Sequence, residues 1–226
     1  NTDLVKLGAD GAKHHSVLMA DFQSAGKGRL DRTWVAEPGA NLLVSLLFRT
    51  IPTHLHVLTQ AVALSGVIVA RELCGVQAQL KWPNDILVGQ DKLSGILAQA
   101  APVDEAGRVP FVVVGIGCNL SWAPPGAASL ASCGWTRAVT PDEFLAAMLP
   151  EIDRLLLLDD MAMHEEYLAN LATVGTQVRA EMPNGEHIIG RALTVESDGR
   201  LVILDDCAIS HRIDTADVVH LRPASD

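Results

Sequence analysis

Aromatic residues are scarce in this chain, at 4% of 226 residues, although hydrophobic residues as a class reach 49%. A core must therefore be filled by Leu, Val, Ile and Ala, and the length suits one large domain or a main domain with a small companion. Cations are also in short supply: 17 Lys and Arg stand against 27 Asp and Glu, a formal net charge of -10. Such a surface repels nucleic acid over most of its area, and neither helix-turn-helix nor zinc-finger spacing occurs, so no nucleic-acid partner is expected. Cys74, Cys118, Cys133 and Cys207 are scattered without a C-x-x-C pair, and the eight histidines lack metal-ligand spacing. That pattern suits free thiols in a reducing compartment and argues against a disulfide scaffold or a structural zinc site. No basic stretch leads into an apolar run at the start, and the apolar runs read as too short to cross a bilayer. A cytoplasmic protein with no membrane partner is expected.

Two stretches stand out against this background. Lys81-Trp82-Pro83-Asn84-Asp85 packs two charges, an amide and an indole between Leu80 and the apolar Ile86-Leu87-Val88. Proline keeps the preceding Trp82 extended and removes a backbone donor, so the segment reads as a strand end or stiff turn holding polar groups in a fixed direction. Taken alone it also reads as a plain surface turn. The second stretch is Gln23-Ser24-Ala25-Gly26-Lys27-Gly28-Arg29-Leu30-Asp31-Arg32-Thr33-Trp34. Two glycines one residue apart loosen the backbone, and Lys27, Arg29 and Arg32 form a local positive patch whose plain chemical use is anion binding. The alternative is a solvated charged loop. The G-x-x-x-x-G-K-[ST] phosphate loop is absent, so any phosphate contacts are arranged differently.

Periodicity places the remaining elements. Residues 16–22 and 41–48 read as buried strands, 54–74 as a long amphipathic helix ended by Gly75, and 86–88 with 92–99 as a hairpin. Residues 111–120 read as a central strand in which Gly115 and Gly117 bare the backbone to a ligand or to another strand. Thr140 caps a helix from 141 to about 158, and a second spans about 161–171, with Met148, Met161 and Met163 as core fillers. Beyond residue 173 the pattern changes to five short strands with turns at Pro183-Asn184-Gly185 and Ser197-Asp198-Gly199, read as a small barrel.

Collected in space, these segments give a glycine-rich loop with three cations, a rigid Lys-Trp-Pro-Asn-Asp element, a hairpin lysine at Lys92 and a glycine-lined strand. No Ser-His-Asp or Cys-His nucleophile arrangement accompanies them. The set suits stabilisation of transferred negative charge rather than a covalent enzyme intermediate, and a carboxylate within it can hold Mg2+. The residues alone leave an adenylating enzyme and a nucleotide-binding module both open.

Four motifs in order resemble the biotin protein ligase family: Gly26 to Trp34, Lys81 to Asp85, Lys92-Leu93-Ser94-Gly95-Ile96-Leu97, and Gly115-Ile116-Gly117-Cys118-Asn119. The likeness covers nearly the whole chain. It implies an α+β fold: a mixed sheet flanked by helices, as in class II aminoacyl-tRNA synthetases, over residues 1–173, and a small SH3-like barrel over 174–226. It also implies ATP-dependent activation of biotin to biotinyl-5'-adenylate, then transfer to a lysine of the biotin carboxyl carrier protein domain of an acyl-CoA carboxylase. Biotin, ATP and Mg2+ would be the ligands. By the resemblance Lys92 and Arg29 contact the carboxylate and the phosphoryl group, Lys27 and Arg32 line the biotin and triphosphate side, and Asp85 serves the metal and the incoming lysine. Lys81, Asn84 and Asn119 would contact nucleotide, Trp34 would cover the adenine, and Gln23, Gly26, Gly28, Gly95, Gly115 and Gly117 would shape the biotin pocket. Family members occur as monomers and as homodimers.

The chain departs from the family's loop at Lys27, where arginine is usual, and at Asp31, where glycine is usual. Lysine keeps the charge and loses the planar fork, while Asp31 can pair with Arg29 or Arg32 before ligand arrives. Of the family's Ser-Thr-Asn before the first helix only Asn1 matches. The sequence given carries no DNA-binding domain ahead of this segment, and on that ground a repressor role is not expected. Two rivals stand beside this reading: a lipoate or octanoate ligase of the same core fold, and a non-catalytic module that binds biotin or nucleotide. Retention of Lys92, Arg29 and Asp85 together speaks against the second, because bare binding does not need the whole charge-stabilising set.

Overall fold

A computed structural model describes residues 1–29, 32–182, 184–214 and 216–220. Strands β1 (Val17–Met19), β2 (Leu42–Phe48), β3 (Ala78–Lys81), β4 (Asp85–Val88), β5 (Asp91–Ala100) and β6 (Val112–Cys118) form one sheet of order β1-β2-β6-β5-β4-β3. All its strand pairings are antiparallel, and parallel pairing is confined to isolated bridges between Leu80 and Leu171 and between Lys92 and Ala127.

The near-continuous apolar runs of β2 and β6 follow from burial on both faces. Val44, Leu46, Val114 and Ile116 enter the main core, under helices α2 (His56–Cys74) and α3 (Pro141–Leu156). Leu47 and Val113 point the other way and join Leu4, Ala101 and Phe111 in a smaller cluster with helix α1 (Thr2–Ala9). Along that second face the sequence switches from apolar to small or polar, and a cavity begins there.

Helix α2 departs from one expectation: it is long and apolar enough to cross a bilayer by length and composition. Its packing against the sheet and α3 accounts for that composition, since a helix buried nearly all round has no polar face to keep. Gly66 allows the approach, because a Cβ there would lie 3.0 Å from Ile86 Cδ1. The helix ends at Gly75, whose φ of 70° is the left-handed value that favours glycine. Thr140 and Glu143 form a reciprocal capping box on α3, and Asp159 caps α4 (Asp160–Ala169).

Three expectations need correction. The 16–22 segment contributes only the short edge strand β1, half-exposed because an edge strand has a neighbour on one side only, and Phe22, past its end, is exposed. Met161 is also exposed, at the start of α4, whereas Met148 and Met163 are buried as expected. The third concerns the C-terminal strands β7 (Gln177–Glu181), β8 (His187–Val195), β9 (Leu201–Asp205), β10 (Ser210–Ile213) and β11 (Asp217–His220). They form an open antiparallel sheet of order β10-β9-β8-β7-β11, not a barrel. Closure requires hydrogen bonds between the outer strands, and among the described residues β10 pairs only with β9 and β11 only with β7. Strand number and turn spacing look alike for an open and a closed sheet, so the sequence pattern did not separate them.

The two sheets share one continuous core, in which Val178, Ala180, Val195 and Val218 belong to the same cluster as α2 and α3. Trp82 ties them together. Its backbone N–H donates to Thr173 Oγ1 at 3.0 Å, its indole N–H donates to the Gly199 carbonyl at 3.0 Å, and His220 Nε2 lies 3.2 Å from the same Thr173 hydroxyl.

Candidate active site

The cavity floor follows from strand register. Leu43, Gly117, Gly95 and Asp85 lie side by side across β2, β6, β5 and β4, with Ser45, Gly115 and Leu97 in the adjacent row. These continue the face that α1 covers, but glycine replaces the apolar side chains, leaving a space of about 350 Å3 lined by the sheet and by loop residues Gln23, Ala25, Lys27 to Arg29 and Arg32 to Val35. That size suits a small ligand.

A bulge places the central cation. The pairing of β4 with β5 passes from Ile86–Ser94 to Leu87–Lys92, leaving Leu93 without a partner in the register. An extra residue reverses the alternation of side chains, so Lys92 turns to the face of Gly95 and Asp85. Its Nζ lies 2.6 Å from Asp85 Oδ1 and 5.8 Å from the centre of the Trp34 ring. Asp85 Oδ1 is buried and has no hydrogen-bond partner of good geometry, so the contact with Lys92 is an ion pair without an aligned hydrogen bond. A side chain at Gly95 would meet Lys92 Cε and Nζ, both at 3.2 Å.

The loop over this floor is folded back on itself. Trp34 N–H donates to the Gly26 carbonyl, Gly28 N–H donates to the Arg32 carbonyl, and Lys27 bridges to Thr33. Gly26 is required because a Cβ there would strike the Trp34 carbonyl. The fold-back sends two arginines to different partners. Arg29 Nη1 donates to Asn84 Oδ1 at 3.2 Å, and burial pulls its guanidinium below its ordinary pKa while Asp85 and Asp217 oppose the shift. Arg32 donates to Asp217 Oδ2, and that hydrogen bond raises its pKa. Trp34 packs on the floor, where a Cβ on Gly117 would be 2.6 Å from its ring and one on Gly95 3.3 Å, and its indole N–H is buried without a partner.

Of the residues singled out in the sequence, Gln23, Lys27, Gly28, Arg29, Arg32, Trp34, Asn84, Asp85, Lys92, Gly95, Gly115, Gly117 and Asn119 line this cavity. Gly26 and Lys81 do not: Gly26 shapes the loop from behind, and Lys81 stands opposite Asp85 on β3. Asn84 and Asn119 spend their amides on the scaffold, Asn84 Nδ2 on the Ile96 carbonyl at 2.6 Å and Asn119 Nδ2 on the Ala128 carbonyl at 2.9 Å. The Asp31 pairing lies outside the described residues. Sequence reading missed Ser45 and Asp217. Ser45 Oγ donates to Asn1 Oδ1 at 2.8 Å, and a lone serine inside the apolar run of β2 was the available signal. Nothing local marked Asp217, which reaches the cavity from the second sheet.

Residues 2–119 match the biotin/lipoate A/B protein ligase family. Over 98% of this chain and 85% of the relative, the sequence is 34% identical to a biotin–[acetyl-CoA-carboxylase] ligase of Mycobacterium tuberculosis. This chain belongs to the biotin protein ligase family. A second biotin–[acetyl-CoA-carboxylase] ligase, from Paracoccus denitrificans, is also 34% identical, over 91% of this chain and 87% of its own length. The fold of a biotin protein ligase is seen as well in the Aquifex aeolicus enzyme solved in complex with biotin and ATP, with a TM-score of 0.78 at 23% identity. That alignment covers 94% of this chain and 91% of the Aquifex chain, so the open C-terminal sheet falls largely within the shared architecture.

Proposed function

We propose that this biotin protein ligase uses ATP to convert biotin to biotinyl-5'-adenylate, then passes the biotinyl group to a lysine of a biotin carboxyl carrier protein domain. One observation carries the reading: in a chain of net charge -10, Lys27, Arg29, Arg32 and Lys92 converge on one cavity that, among the described residues, is lined by two carboxylates, Asp85 and Asp217. A carboxylate substrate and a triphosphate both need that charge.

In the first step a biotin carboxylate oxygen attacks the α-phosphorus and pyrophosphate leaves. Negative charge builds on the transferred group and the leaving group, and cations fixed in advance stabilise it more than they stabilise the separated reactants. Lys92, aimed by the β5 bulge, and Arg29, steadied by Asn84, serve the carboxylate and phosphoryl group. Lys27 and Arg32 on the loop serve the pyrophosphate side. Trp34 offers its flat face to the adenine. In the second step the carrier amine, having lost a proton, attacks the acyl carbon and AMP departs. Asp85, whose Oδ1 is ion-paired with Lys92, supplies the cavity carboxylate that would take that proton.

Among the described residues Asp85 is the cavity carboxylate beside Lys92, and no cluster of three His, Cys, Asp or Glu could hold a metal. That donor set fits Mg2+ held chiefly by nucleotide phosphates, where the ion neutralises their charge, and not a cage of protein ligands. Biotin is favoured over lipoate because the Asn1 and Ser45 side chains put polar groups beside the glycine floor, a match for a ureido ring that lipoate lacks. We assign residues 1–173 as the catalytic unit and 174–226 as a supporting unit.

The test is transfer to a carrier. With Mg-ATP, biotin and an apo carrier domain, mass analysis is expected to show one biotinyl group added to one lysine, and none with lipoate in place of biotin. Equal transfer of lipoate, or binding of either acid without transfer, would replace this reading with one of its two rivals.

A further inference from the structure

The carboxylate of Asp217 belongs to no motif of the catalytic unit, yet it lies in the cavity wall and accepts a hydrogen bond from Arg32 Nη2. Asp217 opens β11, whose four residues pair with β7 and whose Val218 is buried in the shared core. At the other end of the strand His220 rests on Thr173, the residue that takes the Trp82 N–H. Trp82 begins the turn that carries Asn84 and Asp85 into the cavity. Arg32 is thus held, through Asp217 and β11, to the same frame that fixes Asp85.

The Arg32 side chain is 61% exposed and sits on a loop, so without a partner it would sample many rotamers. A guanidinium carries five N–H donors in a planar fork. Asp217 takes one nitrogen in a single contact, which leaves donors free to meet an anion in the cavity while the side chain stays in place. We infer that Asp217 is a positioning residue for nucleotide: it holds Arg32 toward the polyphosphate end of the cavity, so that the C-terminal sheet forms one wall of the triphosphate subsite. This rests on the ligase reading above, and it adds a role that lies outside the four motifs.

Equilibrium binding tests it without requiring turnover. The full chain and its D217N and D217E variants are titrated by calorimetry with biotin, then, with biotin saturating, with Mg2+ and an ATP analogue carrying a methylene between the α and β phosphates. D217N is expected to bind the analogue about tenfold more weakly, the scale of losing one charged hydrogen bond that orders a ligand-binding group. Biotin affinity should stay within about twofold, and D217E, which keeps the charge, should recover most of the loss. Tighter analogue binding by D217N would show that Asp217 competes with phosphate and would overturn the inference. So would unchanged binding, or parallel loss of biotin and analogue affinity with a lowered Tm, which marks a general structural role. If the unmutated chain binds biotin but no analogue, or neither ligand, the ligase reading fails and this inference falls with it.

Discussion

The C-terminal sheet and the cavity handle charge in opposite ways. In the sheet, Arg179 pairs with Glu181, Arg200 with Asp198 and Asp214, Arg212 with Glu196, and His211 with Asp205. Each of these three arginines is answered by a carboxylate close in sequence or on a neighbouring strand. In the cavity, among the described residues, Lys27, Arg29, Arg32 and Lys92 face two carboxylates, one of which sits in an ion pair with Lys92 and the other against Arg32. Surface pairs that neutralise one another contribute little. An unbalanced cluster held over a glycine floor is unfavourable until an anion arrives, and that excess is what makes it a site. The proposed chemistry therefore falls to the second region, while the first holds its frame through Trp82 and lends it one carboxylate.

The comparison breaks most visibly at Lys92. Lys92→Ala is expected to lower adenylate formation by roughly 10²–10³-fold, the usual loss when one fixed charge-stabilising group is removed, with Tm close to the parent. A change below about threefold would mean that the cavity cations are interchangeable. Next in size, Gly117→Ala puts a methyl 2.6 Å from the Trp34 ring and forces the indole off the floor. Nucleotide affinity should fall about tenfold, by an overpacking effect confined to the cavity, with the sheet still formed by circular dichroism.

The supporting region gives smaller effects. Trp82→Phe removes the indole donor to the Gly199 carbonyl and should cost about 1 kcal/mol in denaturant unfolding, with little change in biotin affinity. Arg212→Ala deletes an exposed ion pair with Glu196, and the expected loss is under about 1 kcal/mol with unaltered activity. An activity loss in Arg212→Ala as large as that in Lys92→Ala would erase the distinction between the two regions.

Much of this was legible because it is local. Gly26, Gly28, Arg29 and Arg32 advertise a glycine-loosened basic loop, and Lys81 to Asp85 a fixed polar turn, and both reach the cavity or its edge. The glycines of β6 left ligand and strand as equal readings; among the described residues it is a side chain that lies over each, Trp34 at Gly117 and Asn1 at Gly115. What the sequence hid depends on long-range register. The bulge that aims Lys92 appears only when β4 and β5 are paired, the open edges of the C-terminal sheet appear only when all its strands are paired, and Asp217 meets Arg32 across 185 positions of chain. The apolar run of α2 likewise reads the same for a buried core helix and a membrane span until its neighbours are known.

The most direct test of the central claim is isotope exchange between pyrophosphate and ATP catalysed by the purified chain with Mg2+, comparing biotin, lipoate and no acid. The charge-collecting cavity predicts exchange that requires biotin, is absent with lipoate and is lost in Lys92→Ala. Exchange that proceeds equally with no acid present, or none with any acid in a folded chain that binds biotin, would contradict it.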